Sequence, residues 1–324
     1  MTGKAGWKDR LTSAAYGLGW SAVCRMPEPW AKSAFRAAAD IAWRRQGPLV
    51  AVLEGNLRRV LGPDADGAEL RALSRESLRS YARYWMETFR LPVIPVQHVV
   101  QEHVITGQAK NALDYLASGR GVIFALPHMG NYDAAGVWVM AAGAGSFTTV
   151  AERLKPESLY DRFVAYRQGL GMEVLPASGG MVSVFGTLSQ RLRAGKLVCL
   201  VADRDVTGTG IEVEFFGEKA RMMGGSAALA ERTGAALFPA TLSYEGEGWG
   251  IHVHDEIVVP AEGERKQKVA AMSQQMARCF EAGIREHPAD WHMVQRVFVA
   301  DLDQARLARA EAAAAGAGDT ATES

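Results

Sequence analysis

The stretch that most constrains this chain is residues 121–137, GVIFALPHMGNYDAAGV. Its first six residues are a short apolar run of β-branched and aromatic side chains bounded by Gly and Pro, which reads as a strand buried on both faces. Pro127-His128-Met129-Gly130-Asn131 then breaks the chain with turn residues. Asn131 is placed to cap a helix that carries Asp133 in its first turn and continues through the small, apolar residues 134–142. A strand that hands one histidine to a sharp turn, with a carboxylate opening the next helix, sits where open α/β sheets carry their chemistry, at the carboxyl ends of strands.

The spacing from His128 to Asp133 has a mechanical reading. Five residues apart on a regular helix, two side chains point in different directions. The pair meets only if His128 lies in the turn, folded back over the helix start. There a carboxylate accepts Nδ1–H, fixes the tautomer and leaves Nε2 as a base. The alternative is a turn histidine satisfied by backbone, with Asp133 acting as a first-turn helix charge.

Around this unit the chain divides into a helical first third and an alternating remainder. Residues 31–45, 49–61 and 69–90 read as helices, the last with Leu70, Leu73, Leu78, Tyr81, Tyr84 and Trp85 on one stripe. An extended stretch is expected over 99–105 and a helix over 107–118. Strands are expected at 146–151, 173–175, 197–202, 237–244 and 250–253, with helices at 158–170, 182–194, 227–233 and 266–286 between and after them. That alternation predicts an α/β fold, a central mostly parallel sheet flanked by helices. Residues 1–304 are expected to form one domain and 305–324, rich in Ala, Gly, Thr and Glu, a disordered tail.

Lys plus Arg equals Asp plus Glu, 36 each, so no global field draws the chain to nucleic acid and any basic patch must be local. Cys24, Cys199 and Cys279 are far apart, lack metal spacing and read as buried thiols in a reducing cytoplasm. No apolar run reaches eighteen residues, which leaves at most a peripheral membrane protein. Residues 1–30, with Trp7, Trp20 and Trp30, read as an amphipathic helix that lies in a lipid interface or docks on the core. His252 and His254 alternate on one strand face without an evident third ligand, so no metal site is expected.

HMGNYD after an apolar strand resembles the H-x4-D/E signature of glycerolipid acyltransferases, in the form found in the late acyltransferases of lipid A biosynthesis and their actinobacterial relatives that acylate phosphatidylinositol mannosides. The resemblance extends over roughly residues 40–300. It includes an Asn-Leu segment at 54–59, the run DRDVTGTGIEVEFFGE from Asp203, and a Pro-x-x-Trp close at 288–291. Asp290, His292 and Met293 depart from the Gln and aromatics usual in the lipid A enzymes. The resemblance implies the glycerolipid acyltransferase-like α/β sandwich, with His128 catalytic and Asp203 emerging at the same sheet edge. Asp203 is then a second carboxylate able to hold the ring, the alternative being a surface ion pair with Arg204. The resemblance does not decide between Asp133 and Asp203 as the ring's partner.

No G-x-S-x-G elbow occurs and no cysteine sits in a reactive setting, which argues for direct attack by an acceptor alcohol without an acyl-enzyme. Gly130 permits close backbone approach, so amides around Met129–Asn131 are candidate oxyanion donors, and Gly130 and Asn131 count as candidate substrate contacts. Arg153, Arg167, Arg204 and Arg221 suit phosphates of coenzyme A or an anionic head group. Arg167 also resembles a basic position of the family. The amides opening the helix after Arg221-Met222-Met223-Gly224-Gly225-Ser226 are a further place for an anion. Burying about fourteen methylenes contributes on the order of 10 kcal/mol, so a long apolar slot is expected beside His128.

The resemblance thus implies palmitoyl transfer from acyl-CoA, as donor substrate and without a cofactor, to a mannose 6-hydroxyl of phosphatidylinositol mannoside. The reaction would take place at the inner, cytoplasmic face of the plasma membrane. The alternatives are a lipid A-type enzyme fed by acyl carrier protein, a non-catalytic lipid-binding protein, and a histidine-dependent acyl hydrolase.

Overall fold

The structure is a computed structural model that describes residues 17, 19–153, 157–177, 183–205, 208 and 210–303. The expected tail, Trp7 and most of the first helix lie outside the described residues.

Three helices lead the chain, α1 (Glu28–Arg44), α2 (Pro48–Leu61) and α3 (Gly67–Arg90). Proline opens the first turn of α1 and α2, where its missing N–H costs nothing, and Asp66 caps α3 by accepting from the Ala68 amide at 3.0 Å. Residues 19–25 are helical as well, and Trp20 docks there: its indole donates to the Phe89 carbonyl at 2.9 Å, and its ring lies 5.2 Å from Tyr166. Trp30, 72% exposed, faces solvent instead.

Next come α4 (Val96–Gln101), β1 (His103–Gly107), α5 (Ala109–Ala117), β2 (Val122–Leu126) and α6 (Tyr132–Val139). They are followed by β3 (Phe147–Ala151), α7 (Glu157–Gly169), β4 (Glu173–Pro176), α8 (Val184–Arg193) and β5 (Leu197–Val201). A hairpin of β6 (Ile211–Phe215) and β7 (Glu218–Met222) precedes α9 (Gly225–Thr233), β8 (Ala236–Glu245), β9 (Gly248–Val253) and α10 (Arg265–Glu286). Glu264 and Gln267 close a capping box at the start of α10.

The seven-stranded sheet runs β1-β9-β8-β2-β5-β3-β4, parallel throughout except for the antiparallel β8–β9 pair. The mostly parallel sheet flanked by helices is therefore the architecture the alternation predicts. Some boundaries differ: Gly107, expected to open a helix, ends β1, and part of the extended stretch expected over 99–105 is α4. Pro95 at its N-cap starts a turn, and the fully buried Val99 packs with Leu91, Val137 and Trp249. That packing outweighs the weak β preference of valine.

β2 lies at the centre of the sheet and is buried at all five positions. Val122, Phe124 and Leu126 face α5 and α6, while Ile123 and Ala125 face α8, α9 and α10, the period-2 alternation of a strand covered on both sides. Each fully buried large side chain in these two cores contributes about 1.5–3 kcal/mol.

Candidate active site

Strand register brings the site together. β2 and β5 are adjacent and parallel, with Leu126 opposite Val201. Two residues further on, the two chains deliver His128 and Asp203 side by side at the carboxyl edge. His128 Nδ1 lies 2.5 Å from Asp203 Oδ1, and the His128 amide donates to Oδ2 at 2.9 Å. The Trp291 indole adds a third donor to Oδ2 at 2.9 Å. Asp203 is fully buried, whereas the His128 side chain is 26% exposed. Burial alone would raise the carboxyl pKa. The adjacent ring and the three hydrogen bonds outweigh it and hold Asp203 below the usual carboxylate range.

Asp203 is therefore the partner of the ring, and the surface pair with Arg204 does not form. Asp133 has a different partner. Arg167 Nε donates to its Oδ1 at 2.8 Å, and Tyr84 O–H reaches Oδ2 at 3.4 Å. The physical reason is the helix: Asp133 sits in the first turn of α6, aimed at α3 and α7, while His128 precedes the turn and follows β2 toward β5. Tyr84 and Tyr132 hydrogen-bond to each other. Burial raises both phenols, Tyr132 to about 12, so they stay protonated.

The turn itself is held from two sides. Asn131 caps α6 by accepting from the Ala134 amide at 3.0 Å and donates to Glu87 at 2.8 Å. Glu87, on α3, also receives Arg83 at 2.6 Å and the Trp249 indole at 2.7 Å. On the other side, residues 290–292 run along the turn. The Asp290 carbonyl accepts from the Gly130 amide at 3.0 Å, Met129 bridges to Trp291, and the His292 amide donates to the His128 carbonyl at 2.8 Å. His292 Nε2 lies 2.8 Å from Ser80 Oγ, which also donates to Asp290 at 2.7 Å.

Gly130 has φ +55, and a Cβ there would fall 2.9 Å from the Leu242 carbonyl carbon. The tight approach serves packing against β8. Among the amides expected to face an oxyanion here, the Met129 amide donates to the Pro127 carbonyl and the Gly130 amide to the Asp290 carbonyl, and the neighbouring His128 amide goes to Asp203. Asn131 likewise spends its side chain on the cap and on Glu87.

A cavity of about 720 Å³ opens at this edge. His128, Tyr84, Asp133, Arg167 and Arg204 line its polar part. Phe124, Leu126, Val139, Phe147 and Ile251 line a slot between the sheet and α6. Its size and mainly apolar lining are those of a ligand site. Cys199 lies on the same wall, but burial pushes its thiol well above the ordinary range, so it is no nucleophile.

Arg204 donates to Glu152 at 2.8 Å and to Gln295. Arg153 pairs with Glu157 at 4.0 Å, and Arg221 donates to the Gly208 carbonyl at 3.1 Å. Neither Arg153 nor Arg221 is among the described residues that line the cavity, so the structure brings only Arg167 and Arg204 to it. His252 and His254 stack edge to face, 4.6 Å apart, and no group of three metal-type ligands occurs among the described residues. No described helix is long and apolar enough to cross a membrane.

Sequence reasoning does not single out Glu87, Tyr132 or Ser80. A glutamate three residues after Tyr84 on an otherwise apolar helix stripe is the available signal for the first.

The chain matches the model of the bacterial lipid A biosynthesis acyltransferases over residues 8–299. It is 46% identical over 316 residues to the phosphatidylinositol mannoside acyltransferase of Mycolicibacterium smegmatis, covering 95% of this chain and 98% of that one. The protein of the same description from Mycobacterium tuberculosis is 48% identical over 305 residues, 92% of each chain. With the H-x4-D turn set on the central strand and a match that spans nearly its whole length, this chain belongs to the bacterial lipid A biosynthesis acyltransferase family and is an O-acyltransferase.

Proposed function

We propose that the protein transfers a palmitoyl group from acyl-CoA to a mannose 6-hydroxyl of phosphatidylinositol mannoside, acting as a peripheral protein at the cytoplasmic face of the plasma membrane. The observation that carries the chemistry is the commitment of His128 Nδ1 to buried Asp203 at the mouth of an apolar cavity. The two mycobacterial relatives named for phosphatidylinositol mannoside support the acceptor.

With Nδ1 tied to a carboxylate, Nε2 is the free basic nitrogen. It takes the proton of the acceptor hydroxyl as that oxygen attacks the thioester carbonyl. The tetrahedral intermediate collapses, the C–S bond breaks, and the imidazolium returns the proton to the departing sulfur, leaving an ester and a thiol. Asp203 stabilises the transient imidazolium and holds the ring in place. The slot between the sheet and α6 takes the acyl chain, and Arg167 and Arg204 meet phosphate oxygens at the polar end.

Labelled palmitoyl-CoA, supplied with and without mannosylated phosphatidylinositol, tests this reading in wild type and His128→Ala. Acceptor-dependent lipid product that disappears in the variant is the expected result. Free fatty acid without an acylated acceptor identifies a hydrolase, and binding without turnover a lipid-binding protein. Product formed only from acyl carrier protein moves the assignment to the lipid A-type donor.

A further inference from the structure

The amides of residues 128–130 are all engaged within the fold, so these three are not available to the oxygen that becomes negative when a thioester is attacked. The cavity does hold unspent donors elsewhere on its wall, at the start of α9. The first helical hydrogen bond there runs from the Ala228 amide to the Gly224 carbonyl at 3.0 Å, so the amides of residues 225–227 have no helical acceptor. Gly225 and Ser226 both line the cavity, and a Cβ on Gly225 would meet nothing within 4 Å. Ser226 is 1% exposed, yet its hydroxyl has no hydrogen-bond partner. A buried hydroxyl left unpaired costs stability, and a ligand oxygen at this wall would satisfy it.

The place of this helix start relative to His128 follows from a short ladder. The Ala202 amide donates to the Leu126 carbonyl at 2.8 Å, and the Met223 amide to the Ala202 carbonyl at 3.2 Å. His128, Asp203 and Gly225 each follow within two residues of these rungs, so the three stand in a row along the sheet edge. Met223 and Leu229 flank Ser226 on the wall. An apolar setting penalises a permanently charged phosphate, but strengthens a dipole that meets a charge only as the reaction creates it.

Resting on the assignment of His128 as the base, we infer that the opening amides of α9 and the Ser226 hydroxyl form the oxyanion site for the thioester carbonyl. As the acceptor oxygen bonds to the carbonyl carbon, the C=O electron pair moves onto the oxygen, which these donors hold. The pair returns when the C–S bond breaks and the sulfur takes the proton from the imidazolium. Ser226 is then a catalytic residue, and the partial positive charge of the helix N-terminus adds to its hydroxyl.

Steady-state kinetics on the full chain with palmitoyl-CoA and mannosylated phosphatidylinositol test this, using Ser226→Ala, Ser226→Thr and His128→Ala with thermal unfolding of each. Ser226→Ala is expected to lower kcat by about 10²-fold, as loss of one oxyanion donor does, with KM unchanged. Its Tm should be no lower than that of wild type, because no partner in the folded protein is lost and an unpaired buried hydroxyl is removed. Ser226→Thr, which keeps the hydroxyl, should retain most of kcat. Wild-type kcat in Ser226→Ala, a rise in KM alone, or a lowered Tm accounting for the loss would each overturn the inference. If His128→Ala is dead while Ser226→Ala is fully active, only the oxyanion site is wrong. If both are active, the base assignment falls with it.

Discussion

A carboxylate with no solvent contact normally resists ionisation, and Asp203 keeps its charge because three donors converge on two oxygens. Two of these donors belong to His128 itself, so the same contacts that ionise Asp203 also fix where the ring stands. His292, whose amide donates to the His128 carbonyl, has the opposite fate: burial, followed by the neighbouring His128, depresses its pKa to about 3. An unfolded histidine titrates near 6.5, so below that pH the unfolded chain gains a proton that the native chain refuses until about 3. Stability contributed by neutral His292 is therefore present above 6.5 and falls as pH falls through this window. From pH 7 to pH 5 this one residue should remove about 2 kcal/mol, and urea midpoints should show the loss shrinking by that amount in His292→Gln. An equal loss in both proteins would assign the pH dependence elsewhere. His128 and Asp133 are legible in the sequence because strand, turn and helix are contiguous there. That Asp203, and not Asp133, holds the ring is not legible. His128 and Asp203 are 75 positions apart, and only the order of the strands makes them neighbours.

The same limit governs the elements. Local periodicity locates most of them: the apolar run of β2, the stripe of α3, the long α10. It does not order them, because β3 and β4 lie between β2 and β5 in the chain but outside that pair in the sheet. Nor does it show how closely two elements approach. Gly283, in the last turn of α10, is such a point. A Cβ there would lie 2.4 Å from Thr241 Oγ1 and 2.5 Å from its Cβ, so the glycine lets the helix rest on β8. Alanine in the last turn gains only a fraction of the ~1 kcal/mol that replacing glycine brings in a helix interior. Overpacking of a core contact costs about 1–3 kcal/mol. The clash is against Cβ itself, which cannot rotate away, so the packing cost should win and Gly283→Ala should be destabilised by about 1–2 kcal/mol in urea unfolding. Adding Thr241→Ala removes two of the clashing atoms and should recover part of that loss. If the double variant were no better than the single one, helix–sheet contact would not be the cause.

On the scale of the whole molecule, the carboxyl edge of the sheet separates two environments that the reaction needs at once. Charged and hydroxylated side chains from α3, α6 and α7 gather on one side of His128, and an apolar slot between β2, β8, β9 and α6 extends from the other. The middle of α6 is made of small residues: Ala135 lines the slot where a bulkier side chain would fill it, and a Cβ on Gly136 would fall 2.9 Å from Met172 and Phe147, which pack directly on the helix backbone. Each methylene that a bound chain buries is worth about 0.8 kcal/mol, close to a fourfold factor in binding, so slot length translates directly into chain-length preference. A phenyl ring that displaces about four methylenes would cost about 3 kcal/mol for the chains that need that space and nothing for shorter ones, roughly 10²-fold in relative kcat/KM. If the protein transfers palmitoyl as proposed, Ala135→Phe should therefore shift the preferred acyl donor toward medium-length chains, while the absolute rate on the short donors stays near wild type because the His128–Asp203 pair is untouched. Competing acyl-CoA donors of graded length, with products resolved by mass spectrometry, read this directly. A uniform loss across all lengths would place the acyl chain outside the slot and send the search for it to the wall between α8 and α9.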